Sequence, residues 1–151
     1  MKAIRDDTQV HVVAITYPSQ AALSTSTAFE PFATAWFNAW AIGDDARDDG
    51  IMVLILTEDR RVRIELGSGF ARDWDYAAQS IIDERMVPFL ADDDWNGGLN
   101  AGIAALRPQI IDPFLAGEDA PAAGNDLPWI LGGIGGFIAL FFGGSWAASK
   151  L

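Results

Sequence analysis

The apolar positions of this chain switch between two periods. Val10, Val12, Val13 and Ile15 crowd the run 9–17, which reads as a largely buried strand with His11 as a partly buried structural residue. Phe29, Phe32, Ala33, Trp36, Phe37 and Trp40 then fall three or four apart, which is one apolar face of a helix. Thr27 and Glu30 fit a capping box for it, and Pro31 alternatively marks its first position. Residues 51–56 contain no polar side chain, so this strand is expected to be covered on both faces. Glu58-Asp59-Arg60 is too short for a crossover and predicts a hairpin with an antiparallel return. In that return Val62, Ile64 and Leu66 alternate with Arg61, Arg63 and Glu65, giving one buried face and one that is wet or charge-paired.

The second half is helical in pattern. Asp73 is the expected N-cap of a helix whose face is Trp74, Ala77, Ala78, Ile81, Ile82, Met86 and Phe89, ended or kinked by Pro88. Asp94 is the expected N-cap of another, carrying Trp95, Leu99, Ile103, Leu106 and Ile110. Residues 112–126 hold Pro113, Gly117, Pro121 and Gly124 and read as a flexible, extended linker. Residues 127–149 carry no charge, with Trp129 and Trp146 near the two ends, and read as a transmembrane helix. Gly132 and Gly136 within it form a small-xxx-small pair. The expected organisation is therefore a domain over 1–111, a linker over 112–126 and a membrane span over 127–149.

Charge narrows the function. The formal net charge is -11, from 21 acidic and 10 basic residues, which argues against nucleic acid as a partner. The absence of cysteine excludes thiol chemistry, and a lone histidine makes a histidine-rich zinc site or a Ser-His pair improbable. The best metal candidates are Asp48, Asp49 and Asp94, hard oxygen donors suited to Ca²⁺ or Mg²⁺. Their spacing is not that of an EF-hand, and the alternative is solvated loop acids and helix caps. Two Asp-x-Asp pairs, at Asp73 and Asp92, do not follow an apolar strand, so N-caps explain them better than an aspartyl nucleophile. Ser68 lacks a nucleophile elbow. Arg60, Arg61 and Arg63 could bind an anion, although arginines on a hairpin face more often pair with neighbouring acids. Gly67-Ser68-Gly69 permits positive φ or a close backbone approach.

Several of these motifs recur together in a known family. Trp40-Ala-Ile-Gly43, Asp49-Gly50 before an apolar strand, Arg60-Arg61-Val62-Arg63-Ile64-Glu65 and Gly67-Ser-Gly69 resemble the TPM domain. Ile81-Ile82, Pro88-Phe89 and Asp94-Trp95 followed by Gly98-Leu99 continue the match in order, over roughly residues 10–111. The resemblance implies an α/β fold, a three-layer α/β/α sandwich with a small mixed sheet, to which the chain adds one C-terminal transmembrane helix. It implies an extracytoplasmic domain, divalent-metal binding in some members and acid phosphatase activity in plant members. The chain departs from the family pattern at Phe70-Ala71, where a Glu is frequent after the glycine loop, and at Asp49, where Asn is frequent. Residues 1–8 are polar and charged and lack the apolar core of a signal peptide.

The expectation from the sequence is a single-pass membrane protein. Its TPM-like domain would act as an interaction, assembly or repair module beside membrane-protein complexes, with a divalent cation at the acidic loops. The alternative is a metal-dependent phosphomonoesterase using the same three carboxylates. Lys150 favours a periplasmic or extracytoplasmic domain, and a cytosolic, tail-anchored arrangement is the other topology.

Overall fold

Strand β2, Ile51–Leu56, lies at the centre of the sheet with all six side chains buried. In the computed structural model, which describes residues 2–23, 28–122 and 139–140, both of its edges are paired. Strand β1, Val12–Tyr17, runs parallel on one side, from Val12 opposite Ile51 to Tyr17 opposite Leu56. Strand β3, Arg61–Leu66, runs antiparallel on the other, with Leu56 opposite Arg61 and Ile51 opposite Leu66. The result is a small mixed sheet of α/β class, to whose outer edge a short strand β4, Ala139–Leu140, adds against Arg61 and Val62.

Side chains of a strand alternate between faces, so β2 feeds two cores. Met52, Leu54 and Leu56 pack against Phe29, Phe32, Ala33 and Phe37 of helix α2, Phe29–Ala39, which is the crossover between the parallel strands β1 and β2. Ile51, Val53 and Ile55 join Val62 and Ile64 of β3 against the helices of the second half. Helices thus lie on both faces of the sheet. The N-cap of α2 is Ala28, whose side chain makes no capping bond, in place of the expected Thr27–Glu30 box. Trp40 is exposed beyond the end of α2 and stacks on Trp36 with ring centroids 5.9 Å apart.

The second half departs from simple helical phase. Helix α3, Asp75–Ile81, passes into a π-turn over Ile82–Met86 and then helix α4, Val87–Leu90. A π-turn inserts one extra residue and rotates everything after it by about 100°. Leu90, not the expected Phe89, therefore enters the core, and Phe89 is exposed. Pro88 does not end the run, because it sits in the first turn of α4, directly after the wide turn. Asp73 is not the cap: a 3₁₀ turn over Arg72–Trp74 starts from Ala71, and α3 follows Trp74 without a side-chain cap.

Helix α5, Trp95–Leu106, is capped by Asp94 as expected. Its buried residues are Gly98, Gly102, Ala105 and Leu106, while Trp95, Leu99 and Ile103 are only partly buried. The glycines set this contact. A Cβ on Gly98 would lie 2.6 Å from Leu90 Cδ2, and one on Gly102 2.7 Å from Met86 Sδ. A second π-turn, Arg107–Ile111, leads into helix α6, Asp112–Leu115. Residues 112–115 are thus helical where the sequence reads as an extended linker. Phe114 closes the core, 4.3 Å from Phe70 and 6.2 Å edge-on from Trp74.

At the other end, helix α1, Lys2–Thr8, had no apolar periodicity to announce it. It docks through Ile4 against the larger core, and Thr8 Oγ1 donates to Ile4 O while accepting from Val10 N–H. Among the described residues no helix is long and apolar enough to cross a membrane. The span 127–149, read as a transmembrane helix, lies outside the described residues except for Ala139 and Leu140, which form β4. Replacing Phe114 by alanine should lower stability by about 2 kcal/mol, measured by urea denaturation, since a partly buried aromatic is lost from the core. An unchanged midpoint would mean that residues 112–115 are not packed on the domain.

Candidate functional site

Among the described residues, two places are the strongest site candidates. The first is the acidic loop that enters β2. The Asp49 carboxylate is fully buried; its Oδ1 accepts from Asp44 N–H at 3.3 Å and its Oδ2 lies 2.8 Å from Arg47 Nε. Arg47 Nη2 donates in turn to Gln9 O at 2.8 Å, tying the loop to the start of β1. Asp48 is exposed, has φ of 49°, and its Oδ2 accepts from Ser68 Oγ at 2.9 Å. The backbone ladder of the hairpin runs on past the strand ends here. Gly67 N–H donates to Gly50 O at 2.8 Å and Gly69 N–H to Asp48 O at 2.9 Å. A Cβ on Gly67 would lie 2.0 Å from Asp48 O, which explains the glycine: the two loops touch through backbone. These acids have structural work to do, as an ion pair, a turn and a loop clasp.

Asp94 is elsewhere. It caps α5 through a bond from Gly97 N–H to Oδ1 at 2.8 Å. Its neighbour Asp93 pairs with Arg60, in the turn that follows β2. The acidic loop lies at the start of β2 and Asp94 near its end. The strand between those two ends is six residues long and rises about 17 Å. Ca²⁺ and Mg²⁺ hold oxygen ligands at roughly 2.0–2.6 Å, so Asp48, Asp49 and Asp94 do not converge on one ion. Among the described residues no three Asp, Glu, His or Cys side chains are grouped to hold a metal.

The second place is a cleft of about 520 Å³ along the outer edge of β3. Its walls are β3, the turn after it, α3 and Thr34 of α2. Arg63 is only 2% exposed, forced there because its strand position faces α2. Its Nε pairs with Glu65 Oε2, and Glu65 Oε1 accepts from Thr34 Oγ1 at 2.9 Å. Arg63 Nη1 meets no acceptor. Gln79, 3% exposed on α3, donates from Nε2 to Asp83 at 2.8 Å, and its Oε1 meets no donor. Asp75, in the first turn of α3, lines the same cleft. Burial pushes its carboxyl pKa up; Arg63 and Arg72 pull it back and Glu65 adds to the rise.

The cleft therefore presents two guanidinium groups and two carboxyl groups, close to charge balance, with one unmet donor and one unmet acceptor. An unmet buried polar group costs about 1–3 kcal/mol, which a bound group of matching polarity would recover. That arrangement suits recognition. The alternation of charged residues on β3 was visible in the sequence, but Thr34, Asp75 and Gln79 come from other elements and carry no local signal.

A small mixed sheet with helices on both faces makes this a domain of α/β class. The TPM domain family model matches residues 1–109, and the chain belongs to that family. Among solved structures, it is similar to the N-terminal domain of a protein from P. gingivalis, at 23% identity and a TM-score of 0.60, over 81% of this chain and 74% of that one. It is also similar to the BA42 protein of the psychrophilic bacterium Bizionia argentinensis, at 18% identity and a TM-score of 0.43, over 70% of this chain and 78% of that one. No curated protein matches the chain.

Two outcomes test the site's construction. Gly67→Ala should cost about 2 kcal/mol or more, read from chemical denaturation, because the new methyl group collides with the Asp48 carbonyl. The second concerns Asp75, whose pKa is raised above 3.8 in the fold. The folded state then holds its proton to higher pH than the unfolded state, so this group's contribution turns unfavourable as pH rises through that interval. Asp75→Asn should melt higher than the parent chain at pH 7, with the difference closing below pH 3.8. A lower melting temperature at pH 7 would show that Arg63 and Arg72 outweigh the burial.

Proposed function

We propose that this TPM-domain chain is a membrane-tethered interaction module whose recognition site is the cleft between β3 and α3. The observation that carries the reading is Arg63 Nη1, buried and without an acceptor in the wall of an open cleft. Arg63 is paired with Glu65 through Nε, and its enclosed Nη1 would take an incoming oxygen once the cleft wall shifts to admit it. The tether in this proposal is the uncharged run 127–149, whose Ala139 and Leu140 leave their pairing with β3 when the run enters the bilayer, with Lys150 on the cytoplasmic side and the domain outside, beside membrane-protein complexes.

The metal-dependent phosphatase reading finds less support. It needs carboxylates that converge, and Asp94 is at the far end of β2 from Asp48 and Asp49. A divalent cation at the acidic loop would also have to displace Arg47 from Asp49. The assay is direct. Full-length protein in detergent is mixed with p-nitrophenyl phosphate and millimolar Ca²⁺ or Mg²⁺, alongside Asp49→Ala. No turnover above background is expected from either. Metal-dependent turnover that Asp49→Ala abolishes would sink the interaction reading in favour of the enzyme.

The tether has its own test. Expressed cells are fractionated with the whole chain and with a chain ending at Ala122. The whole chain should pellet with membranes and the shortened one should stay in the supernatant. Equal sedimentation of both would remove residues 127–149 as the anchor.

A further inference from the structure

Among the described residues, the edge of β3 that the cleft follows is unpaired beyond its first two residues. Gly67 N–H donates to Gly50 O, and the register carries this alternation along β3. Arg61, Arg63 and Glu65 therefore turn their backbone groups toward β2, while Val62, Ile64 and Leu66 turn theirs outward. β4 pairs with Arg61 and Val62. Among the described residues no strand pairs with the outward side of β3 from Arg63 to Leu66, and Ile64 and Leu66 line the cleft.

The side-chain walls straddle this edge. On one face of the sheet stand Arg63, Glu65 and Thr34; on the other stand Phe70, Ala78, Gln79 and Ile82. A chain lying along the edge would send successive side chains to these two faces in turn. On the first face it would meet Arg63, whose enclosed and unpaired Nη1 would swing out to a carboxylate or amide oxygen. On the second it would meet apolar contacts and the unpaired Gln79 Oε1, which suits a hydroxyl or N–H donor.

We propose that the edge of β3 left unpaired among the described residues takes an extended peptide segment of a partner protein as an added strand, with an acidic or amide side chain reaching Arg63. Main-chain bonds to Ile64 and Leu66 supply affinity, and Arg63 and Gln79 supply side-chain preference. The occupant is a peptide rather than a free anion because the unmet groups are a donor and an acceptor on opposite sides of an open strand edge. A bare anion would satisfy Arg63 and leave Gln79 Oε1 and the β3 backbone unpaired. The inference rests on the interaction reading above and names the partner class for the same site.

The test uses an end-capped hexapeptide, valine-threonine-valine-aspartate-valine-threonine, added to the full-length protein in detergent. Binding is followed by calorimetry and by hydrogen exchange at single amides. Ile64 and Leu66 amides should gain protection. Two further peptides carry N-methyl groups on one or the other alternate set of amides. One should lose about tenfold or more in affinity and the other should bind nearly as the parent, because only one set faces the edge. Arg63→Gln should weaken the aspartate peptide about tenfold and its alanine counterpart little. Should Arg63→Gln not fold, Gln79→Leu serves as the second variant, with weaker binding of the threonine-containing peptide than of a valine-only one.

No binding at millimolar peptide, equal binding of both methylated peptides, or protection of the same amides by self-association without peptide would each overturn the proposal. Failure of the peptide with no phosphatase turnover leaves the interaction reading standing, whereas metal-dependent turnover removes that reading whatever the peptide does.

Discussion

Everything in this fold depends on burying β2 completely. Six apolar side chains in a row leave no face for water, so helices must cover both sides and strands must pair both edges. The parallel pairing with β1 needs a crossover, and α2 supplies it while covering the Met52–Leu54–Leu56 face. The antiparallel pairing with β3 needs a tight turn, and Thr57 to Arg60 supplies it. The helices from α3 onward are then the lid on the Ile51–Val53–Ile55 face. The glycine clasp at Gly50, Gly67 and Gly69 extends the same pairing beyond the strand ends, so that the acidic loop is zipped to the turn after β3.

β3 is built differently, and the difference places the cleft. It carries charge on the face turned to α2, where an inner strand would carry apolar groups. Inward-pointing charges and short pairing partners are how proteins keep an edge from joining an unwanted strand. Arg63 and Glu65 serve that end by pairing with each other, but the pairing uses one nitrogen of the guanidinium and leaves another unmet. The residues that guard the edge are thus the ones the proposed peptide would meet. In the proposed complex the strand that joins this edge is the one that brings an oxygen to Arg63.

The acidic loop illustrates how the same residues read differently in isolation and in place. Asp48, Asp49 and Asp94 are hard-ligand candidates as residue types. Folded, Asp49 neutralises Arg47, Asp48 holds Ser68, and Asp94 satisfies the first turn of α5. Each carboxylate is already spoken for by a local geometric need, and β2 itself holds the loop and the cap apart.

Local pattern alone determined the strands β2 and β3, the hairpin between them, α2, the cap at Asp94 and the family motifs. These depend on periodicities and turn residues within a few positions of one another. Tertiary structure decided what periodicity cannot carry. The π-turn at Ile82–Met86 changed the phase so that Leu90 rather than Phe89 is buried. The glycine stripe of α5 became the contact face because Met86 and Leu90 needed room. Phe114 joined the core through rings some forty residues earlier in the chain. The cleft gathers Thr34, Arg63, Asp75 and Gln79 from three elements. Their convergence exists only once β2 has drawn α2 to one face and α3 to the other.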